Sequence, residues 1–325
     1  ARKKSPRAAD YARRVRVLTT LAAAEEKVGQ KEAAATVRAT IAKLDAELDA
    51  AYRKAVPPFK PEPFAGRKDT SANRVAVLEL FTGTQCPPCV AADVAADALI
   101  AAYPPAALVV LQYHEHIPGP DPLTNPTSVA RMDYYRDRFE DQVRGTPTAV
   151  LNGTPTAGGG GGMDDARDKF DEYRKAIAPL LEKSSAVTLT GSAARAGDAV
   201  TVGVAVGGPA DPAATVKLRL FLVEDEVRYA GGNGVRFHHH VVRGVVGPAD
   251  GVAVKELKGG RFDGAADVSA VRAGLLDHLD GFARERNVSF PVKPVELAGL
   301  SVVAVVQDDA TGEVLQAAAF PAAGK

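Results

Sequence analysis

Apolar and polar positions recur at three different periods along this chain, and each period predicts a different architecture. In "VRATIAKLDAELDAAYR", Val37, Ile41, Leu44, Leu48 and Tyr52 fall at steps of three and four, the stripe of an amphipathic helix. Val15, Leu18 and Ala22 repeat that spacing earlier, and Gly29 breaks the pattern between them. An αα-hairpin is therefore predicted over residues 1–56. The stretch "VPPFKPEPFAG" then places prolines at 57, 58, 61 and 63. Proline has no N–H and clashes with the preceding turn, so this run cannot continue a helix and predicts a semi-rigid linker over 57–73.

From 74 to 183 short apolar runs alternate with helical stripes. "RVAVLELF" (74–81) and "ALVVLQYH" (107–114) read as buried strands. A helix is predicted from about Pro87 to Ala102, another over 128–140, a strand at "TPTAVLNG" (146–153), and a final helix over 163–183. There Phe170, Tyr173, Ile177, Leu180 and Leu181 share one face. Strands alternating with helices predict an α/β layer structure. Beyond 185 the pattern changes again: "AVTVGVAVGG", "VKLRLFLVEDEV", "HHHVVRGVVG" and "GLSVVAVVQDDATGEVLQAAAF" are strand-like, separated by turn residues. One helix interrupts them near 267–285. An antiparallel, Ig-like β-sandwich with a helical insertion is predicted for 185–325.

Composition narrows this picture. A chain of 325 residues suggests more than one core. With 46% hydrophobic but 6% aromatic residues and no Trp, alanine, valine and leucine must fill the interior. Forty basic residues balance forty acidic ones, so net charge gives no sign of a nucleic-acid partner. The one local excess is at residues 1–16, with seven basic residues against Asp10. It is either a surface for polyanions or a solvated helix start. No stretch is apolar for long enough to span a membrane, and no signal peptide is legible.

The chain holds two cysteines, Cys86 and Cys89, in "ELFTGTQCPPC", where the first strand meets a helical pattern. Two thiols at this spacing form a redox or metal pair rather than a disulfide framework. Cys86 is expected at the helix N-cap with Pro87 at the first helical position. Free N–H groups and the helix dipole would then stabilise its thiolate, the nucleophile of disulfide exchange, and Cys89 could close back on it. The competing readings are a structural zinc site, an inert disulfide, and a vestigial pair on a binding scaffold. Downstream, Gly145, Thr146 and Pro147 open a strand, the place in a sheet where proline is tolerated. A cis Thr146–Pro147 bond there would leave the neighbouring backbone free to pair with an extended substrate.

Strand, C-x-x-C helix, strand, helix and then Thr-Pro before a strand resembles the thioredoxin-like superfamily over residues 74–183. "ELFTGTQC", "YHEH", "GTP" and a strand-rich part carrying "HHHVVRG" are also similar to exported, outer-membrane-related thioredoxin-like proteins. The resemblance implies a thiol–disulfide oxidoreductase in the periplasm or cell envelope, acting on protein thiols or disulfides, with the Cys86–Cys89 disulfide as its redox group and no other cofactor. Cys86 matches the attacking cysteine, Cys89 the resolving one, and Pro147 the cis-proline, with Gly145 and Thr146 beside it as substrate-binding backbone. Two positions depart from the pattern. Gln85 stands where a Trp is usual, and Leu80 stands in the place of a buried Asp. Its neighbour Glu79 faces the opposite side by strand alternation, so Glu79 could take up the proton-relay role through a local shift of register, or a water could.

The histidines offer further candidates. His114 and His116 end the second strand and are placed to relay protons, to join the cysteines in a copper site as in copper-delivery proteins of this fold, or to face solvent and loop carbonyls. His238 and His240 share a strand face at a spacing that can chelate a metal, although no carboxylate or cysteine accompanies them. The glycine run at 158–162 lacks the Lys-Ser/Thr of a phosphate loop and reads as slack between strand and helix. The alternative to an enzyme is a non-catalytic binding or accessory subunit of a larger envelope assembly, with the pair as a fixed disulfide.

Overall fold

The computed structural model describes residues 6–156, 158–208 and 213–324, with side chains from Arg14 onward, Arg16 excepted. Much of the basic run at 1–16 therefore lies outside the described residues. Helices α1 (Pro6–Lys27) and α2 (Lys31–Ala55) form a unit of their own, ending at Val56. Gly29 turns the chain between them with φ +80°, a conformation that costs glycine little. Ala22, Ala34 and Leu44 are buried, and Arg38 pairs with Glu26 at 2.6 Å.

Residues from Pro57 onward form the second unit, built on a sheet of twelve strands among the described residues. Strand β1 (Ala76–Thr82) lies parallel to β2 (Leu108–His114) and antiparallel to β3 (Thr148–Leu151), which pairs with β4 (Thr154–Pro155). Between these strands come a 3-10 turn (Pro87–Cys89), α3 (Val90–Ala102) and α4 (Pro126–Arg138), and α5 (Ala166–Leu181) follows. Asn125 starts α4 by accepting the N–H groups of Thr127 and Ser128, with Pro126 in the first helical position. Leu78, Leu80, Leu99, Phe170 and Ile177 meet in the core between one face of β1 and helices α3 and α5.

The proline-rich stretch is part of this core rather than a free spacer. Phe64 stacks on Tyr103 at 5.0 Å while its N–H bonds the Ala102 carbonyl, and Phe59 packs on Phe170 at 5.3 Å. Proline fixes the backbone so that these two rings are presented with little entropy left to lose.

The later strands are β5 (Thr188–Ala196), β6 (Ala199–Gly207), β7 (Val216–Arg228), β8 (Phe237–Val245), β9 (Val252–Ala253), β10 (Arg261–Asp267), β11 (Leu300–Asp308) and β12 (Val314–Gly324). Helix α6 (Val268–Arg286) is capped by Asp267, which accepts from the N–H groups of Ser269 and Ala270. The strand order is β10-β6-β5-β12-β11-β7-β8-β2-β1-β3-β4, with β9 on β7. The boundary expected near 184 thus falls within one continuous sheet, joined where Gln112 of β2 pairs with Val241 of β8. Not every neighbour is antiparallel: β12 runs parallel to β5 over Ala322–Gly324. Side chains alternate along β7 and β11 as strand geometry requires. Leu218, Leu220 and Leu222 share a core with Val302, Ala304 and Val306. Phe221, Val223, Val303 and Val305 face a second core with Tyr113 and Tyr135. No helix among the described residues is long and apolar enough to cross a membrane.

Candidate functional site

Cys86 and Cys89 are joined in a disulfide with Cα atoms 5.3 Å apart. Cys86 caps the 3-10 turn, Pro87 takes its first position, and α3 begins one residue after Cys89. The amides of this corner do not stand free around the sulfur. Cys89 N–H bonds the Cys86 carbonyl at 3.1 Å, and Ala91 N–H bonds the Gly161 carbonyl at 3.0 Å. The two intervening prolines are exposed, whereas Cys86 is 1% and Cys89 0% exposed.

Two glycine-rich loops hold this corner. The run expected to be slack packs on the turn. Gly161 donates to the Pro88 carbonyl at 2.7 Å, and a Cβ on Gly160 would stand 2.4 Å from Pro88. On the other side, the loop between β7 and β8 lies over residues 83–86. Asn233 N–H bonds the Thr84 carbonyl at 3.1 Å, and its side-chain amide donates to the carbonyls of Gly83 and Cys86 at 3.2 and 3.4 Å. A Cβ on Gly231 would sit 2.6 Å from the Thr84 carbonyl oxygen, so only glycine permits this approach.

Of the expected substrate-binding residues, Thr146 meets the disulfide, with Pro147 next to it in the chain. Their peptide bond is cis, and the Thr146 carbonyl oxygen lies 3.7 Å from Cys86 Sγ. A second cis bond, Ile117–Pro118, is tied to it, since the Thr146 hydroxyl donates to the Ile117 carbonyl at 3.1 Å. The Gly145 carbonyl accepts the Thr148 hydroxyl at 2.7 Å.

Glu79 is held elsewhere. No register shift occurs along β1 and β2. The Glu79 carboxylate takes a two-pronged contact from Arg131 at 2.6 and 2.7 Å, with the hydroxyls of Tyr113 and Tyr135 donating to it. Burial pushes this carboxyl up, but Arg131 and the two hydroxyls outweigh it and hold it below the ordinary range. The residue that approaches the cysteine corner instead is Asp93, one helical turn after Cys89 and 2% exposed. Its Oδ1 accepts the Thr82 hydroxyl at 2.6 Å, while Oδ2 has no hydrogen-bond partner among the described residues. Burial, reinforced by Asp97 and Asp121, raises its carboxyl well above the usual range despite Thr82.

His114 and His116 gather around Asp121, not around the sulfurs. His114 Nδ1 lies 3.1 Å from Asp121 Oδ2, which also accepts the Thr84 N–H, and Asp121 N–H donates to His116 Nδ1 at 3.0 Å. Burial pushes Asp121 up, and His114 with the amides of Thr84 and Leu123 brings it below normal. His116 stacks on Phe282 at 3.6 Å, and burial pushes it down to about 4. His238 is pushed to about 3 by burial and by His114, and its Nε2 meets the Tyr229 carbonyl oxygen at 3.1 Å. His240 takes φ +51° and turns its Nδ1 to the Val110 carbonyl oxygen at 3.1 Å, so the pair with chelating spacing serves two separate carbonyls.

Asp93, Asp121, Asn233 and the glycine loop at 231–234 carry no mark in the sequence reading, and the glycine run at 158–162 reads there only as slack. Asp93 carries a faint signal, an acid inside the alanine-rich "CVAADVAADAL" one turn from a cysteine. Asn233 carries none, because its role depends on where a distant hairpin lands.

No family model matches this chain, and no curated protein matches it. Among solved structures, HBP35 of Porphyromonas gingivalis is similar with a TM-score of 0.50 at 15% identity, over 78% of this chain and 76% of that one. A structural-genomics protein of Agrobacterium tumefaciens is 19% identical over 76% of this chain and 94% of its own, with a TM-score of 0.44. A domain of the outer membrane lipoprotein Omp28 from Porphyromonas gingivalis is 18% identical over 43% of this chain and 91% of its own, at 0.28. At these identities the first likeness speaks for fold, and the other two carry no further weight.

Proposed function

We propose that this chain is a cell-envelope binding or accessory protein on a thioredoxin-like scaffold, with Cys86–Cys89 as a held crosslink rather than a working exchanger. The scaffold reading is supported by the succession β1, C-x-x-C turn, α3, β2, α4, cis Thr146–Pro147 before β3, β4 and α5. The likeness to HBP35 agrees with it as a matter of fold. For the later strands, a folded-over, sandwich-like arrangement is supported by the core that β6 shares with β7, although β5, β12 and β11 lie between them in the sheet. Export draws on the resemblance of "ELFTGTQCPPC" and "GTPTAVLNG", and a disulfide kept closed fits an oxidising compartment.

The observation that carries the reading is the burial of both cysteines beneath loops that bond to the same corner. An attacking thiolate needs access to a sulfur, and only 1% of Cys86 and none of Cys89 is exposed. One observation favours the second reading, thiol–disulfide exchange: the carbonyl of Thr146, the residue before the cis-proline, lies 3.7 Å from Cys86 Sγ. In that reading a partner thiolate bonds to Cys86 Sγ, the Cys86–Cys89 bond breaks, and Cys89 leaves as a thiolate. Replacement Cys89→Ala separates the two. The crosslink reading expects no mixed disulfide on Cys86 from envelope proteins, and accumulation of such adducts would favour exchange.

A further inference from the structure

The carbonyls of Gly83, Thr84 and Cys86 form a row of acceptors leading to the disulfide. A single residue serves all three of them from outside the corner: the Asn233 backbone N–H takes Thr84, and its side-chain amide takes Gly83 and Cys86. Gly83 and Cys86 carbonyls also accept local N–H groups, from Cys86 and Cys89, so the outside donors fill second lone pairs. The segment bearing Asn233 is a hairpin tip with three glycines, at 231, 232 and 234. Ala230, Gly232 and Gly234 are exposed, and of its residues Val235 is the buried anchor, 1% exposed. The tip is thus fixed to the row mainly through hydrogen bonds, each worth about 1 kcal/mol net, and not through a packed face.

Beside the row lies a cavity of about 380 Å³, lined by Gln85, Pro118, Tyr229 and Phe290 among others. Gln85 belongs to the corner and Tyr229 to the stem of the tip, so the cavity continues the surface that the tip covers. Its walls offer aromatic and proline faces next to polar acceptors, the composition of a site for a protein side chain.

We infer that the Gly83–Thr84–Cys86 row is a docking ledge for an extended polypeptide segment bearing a backbone N–H and a side-chain amide donor, and that residues 230–234 are its built-in occupant. The ledge and the disulfide behind it become available when that tip is displaced. This rests on the binding reading above and names the site that reading requires. It also gives the glycines a reason: a side chain at 231 would meet the Thr84 carbonyl and lift the tip off the ledge.

The test is the rate at which dithiothreitol reduces Cys86–Cys89 in the folded protein, the reagent cyclising to its own disulfide as two thiols form. Asn233→Asp keeps the shape but loses both side-chain donors and sets a carboxylate against carbonyls. Gly231→Ala displaces the tip while leaving every hydrogen-bonding group in place. Both are expected to speed reduction roughly tenfold or more, with circular dichroism and the melting transition showing the fold retained. The octapeptide YAGGNGVR, added at millimolar concentration, should slow reduction of Gly231→Ala again, and the same peptide with Asp for Asn should not. Two folded variants reduced within twofold of the unsubstituted protein would overturn the ledge, as would a peptide effect blind to that exchange. If the unsubstituted protein is itself reduced as fast as its urea-unfolded chain, the held-crosslink reading fails. The ledge is then judged by the peptide arm alone, where protection specific to Asn supports it and none overturns it. Should one variant fail to fold, the other carries the same comparison.

Discussion

Two buried carboxyls flank β1, and the protein treats them in opposite ways. Glu79, on the strand, is met by a bidentate guanidinium and two phenol hydroxyls, and its carboxyl is held below the ordinary range. Asp93, on the helix that follows the cysteines, has one hydroxyl for a partner and an oxygen left over, and its carboxyl is raised well above normal. Burial is nearly equal, at 1% and 2% exposure, so burial alone does not decide the charge; the partners do. The satisfied group joins β1, β2 and α4 as a structural fastener. The unsatisfied one sits one turn from the crosslink.

The largest effect should come from the fastener. Glu79→Leu leaves Arg131 buried without its counter-charge and should cost about 3–5 kcal/mol in urea unfolding, most of it recovered in the double variant with Arg131→Leu. The native Glu79 carboxyl is depressed, so its contribution is present above about pH 4.5 and lost as pH falls through the lower folded value. A single variant as stable as the unsubstituted protein would erase the contrast. Asp93 should behave in reverse. A raised folded pKa means that stability is full below pH 3.8 and declines as pH rises above it. Asp93→Asn should therefore stabilise by about 1–3 kcal/mol at pH 7 and by nothing at pH 3. A loss at pH 7 would break the comparison. Glu115 sharpens it. It is 4% exposed with an unpartnered Oε1, and burial raises it to about 8. Glu115→Gln should stabilise the protein above pH 8, with the gain fading to zero by pH 4.5, as melting curves across that window would show.

The alternation of β1, α3, β2, α4, β3 and α5 is readable in the sequence because short apolar runs alternate with helical stripes such as Phe170, Tyr173, Ile177 and Leu181, whereas the start of α4 at Asn125–Pro126 lies inside a stretch that reads as a proline-rich loop. It did not reveal β5 or β10. "TLTGSAARA" and "RFDGAAD" hold few β-branched residues, and neighbouring strands rather than propensity make them extended. The continuity of the sheet was equally hidden, since Gln112 and Val241 are brought together by tertiary packing alone. Prolines 57, 58, 61 and 63 rule out a continuing helix, but whether such a segment spans a gap or lies on a core depends on Phe59 and Phe64 finding Phe170 and Tyr103. At the site, the cysteines and the Thr-Pro pair were legible as motifs. The cover over them was not, because Gly161 and Asn233 reach this corner from loops distant in the chain, and no local pattern marks where those loops land.

That cover is the centre of the account, and a redox titration of Cys86–Cys89 in the folded, unsubstituted protein tests it most directly. A crosslink sealed in this way should show a potential below about −300 mV. A value between about −120 and −270 mV, the span of working dithiol exchangers, would contradict it.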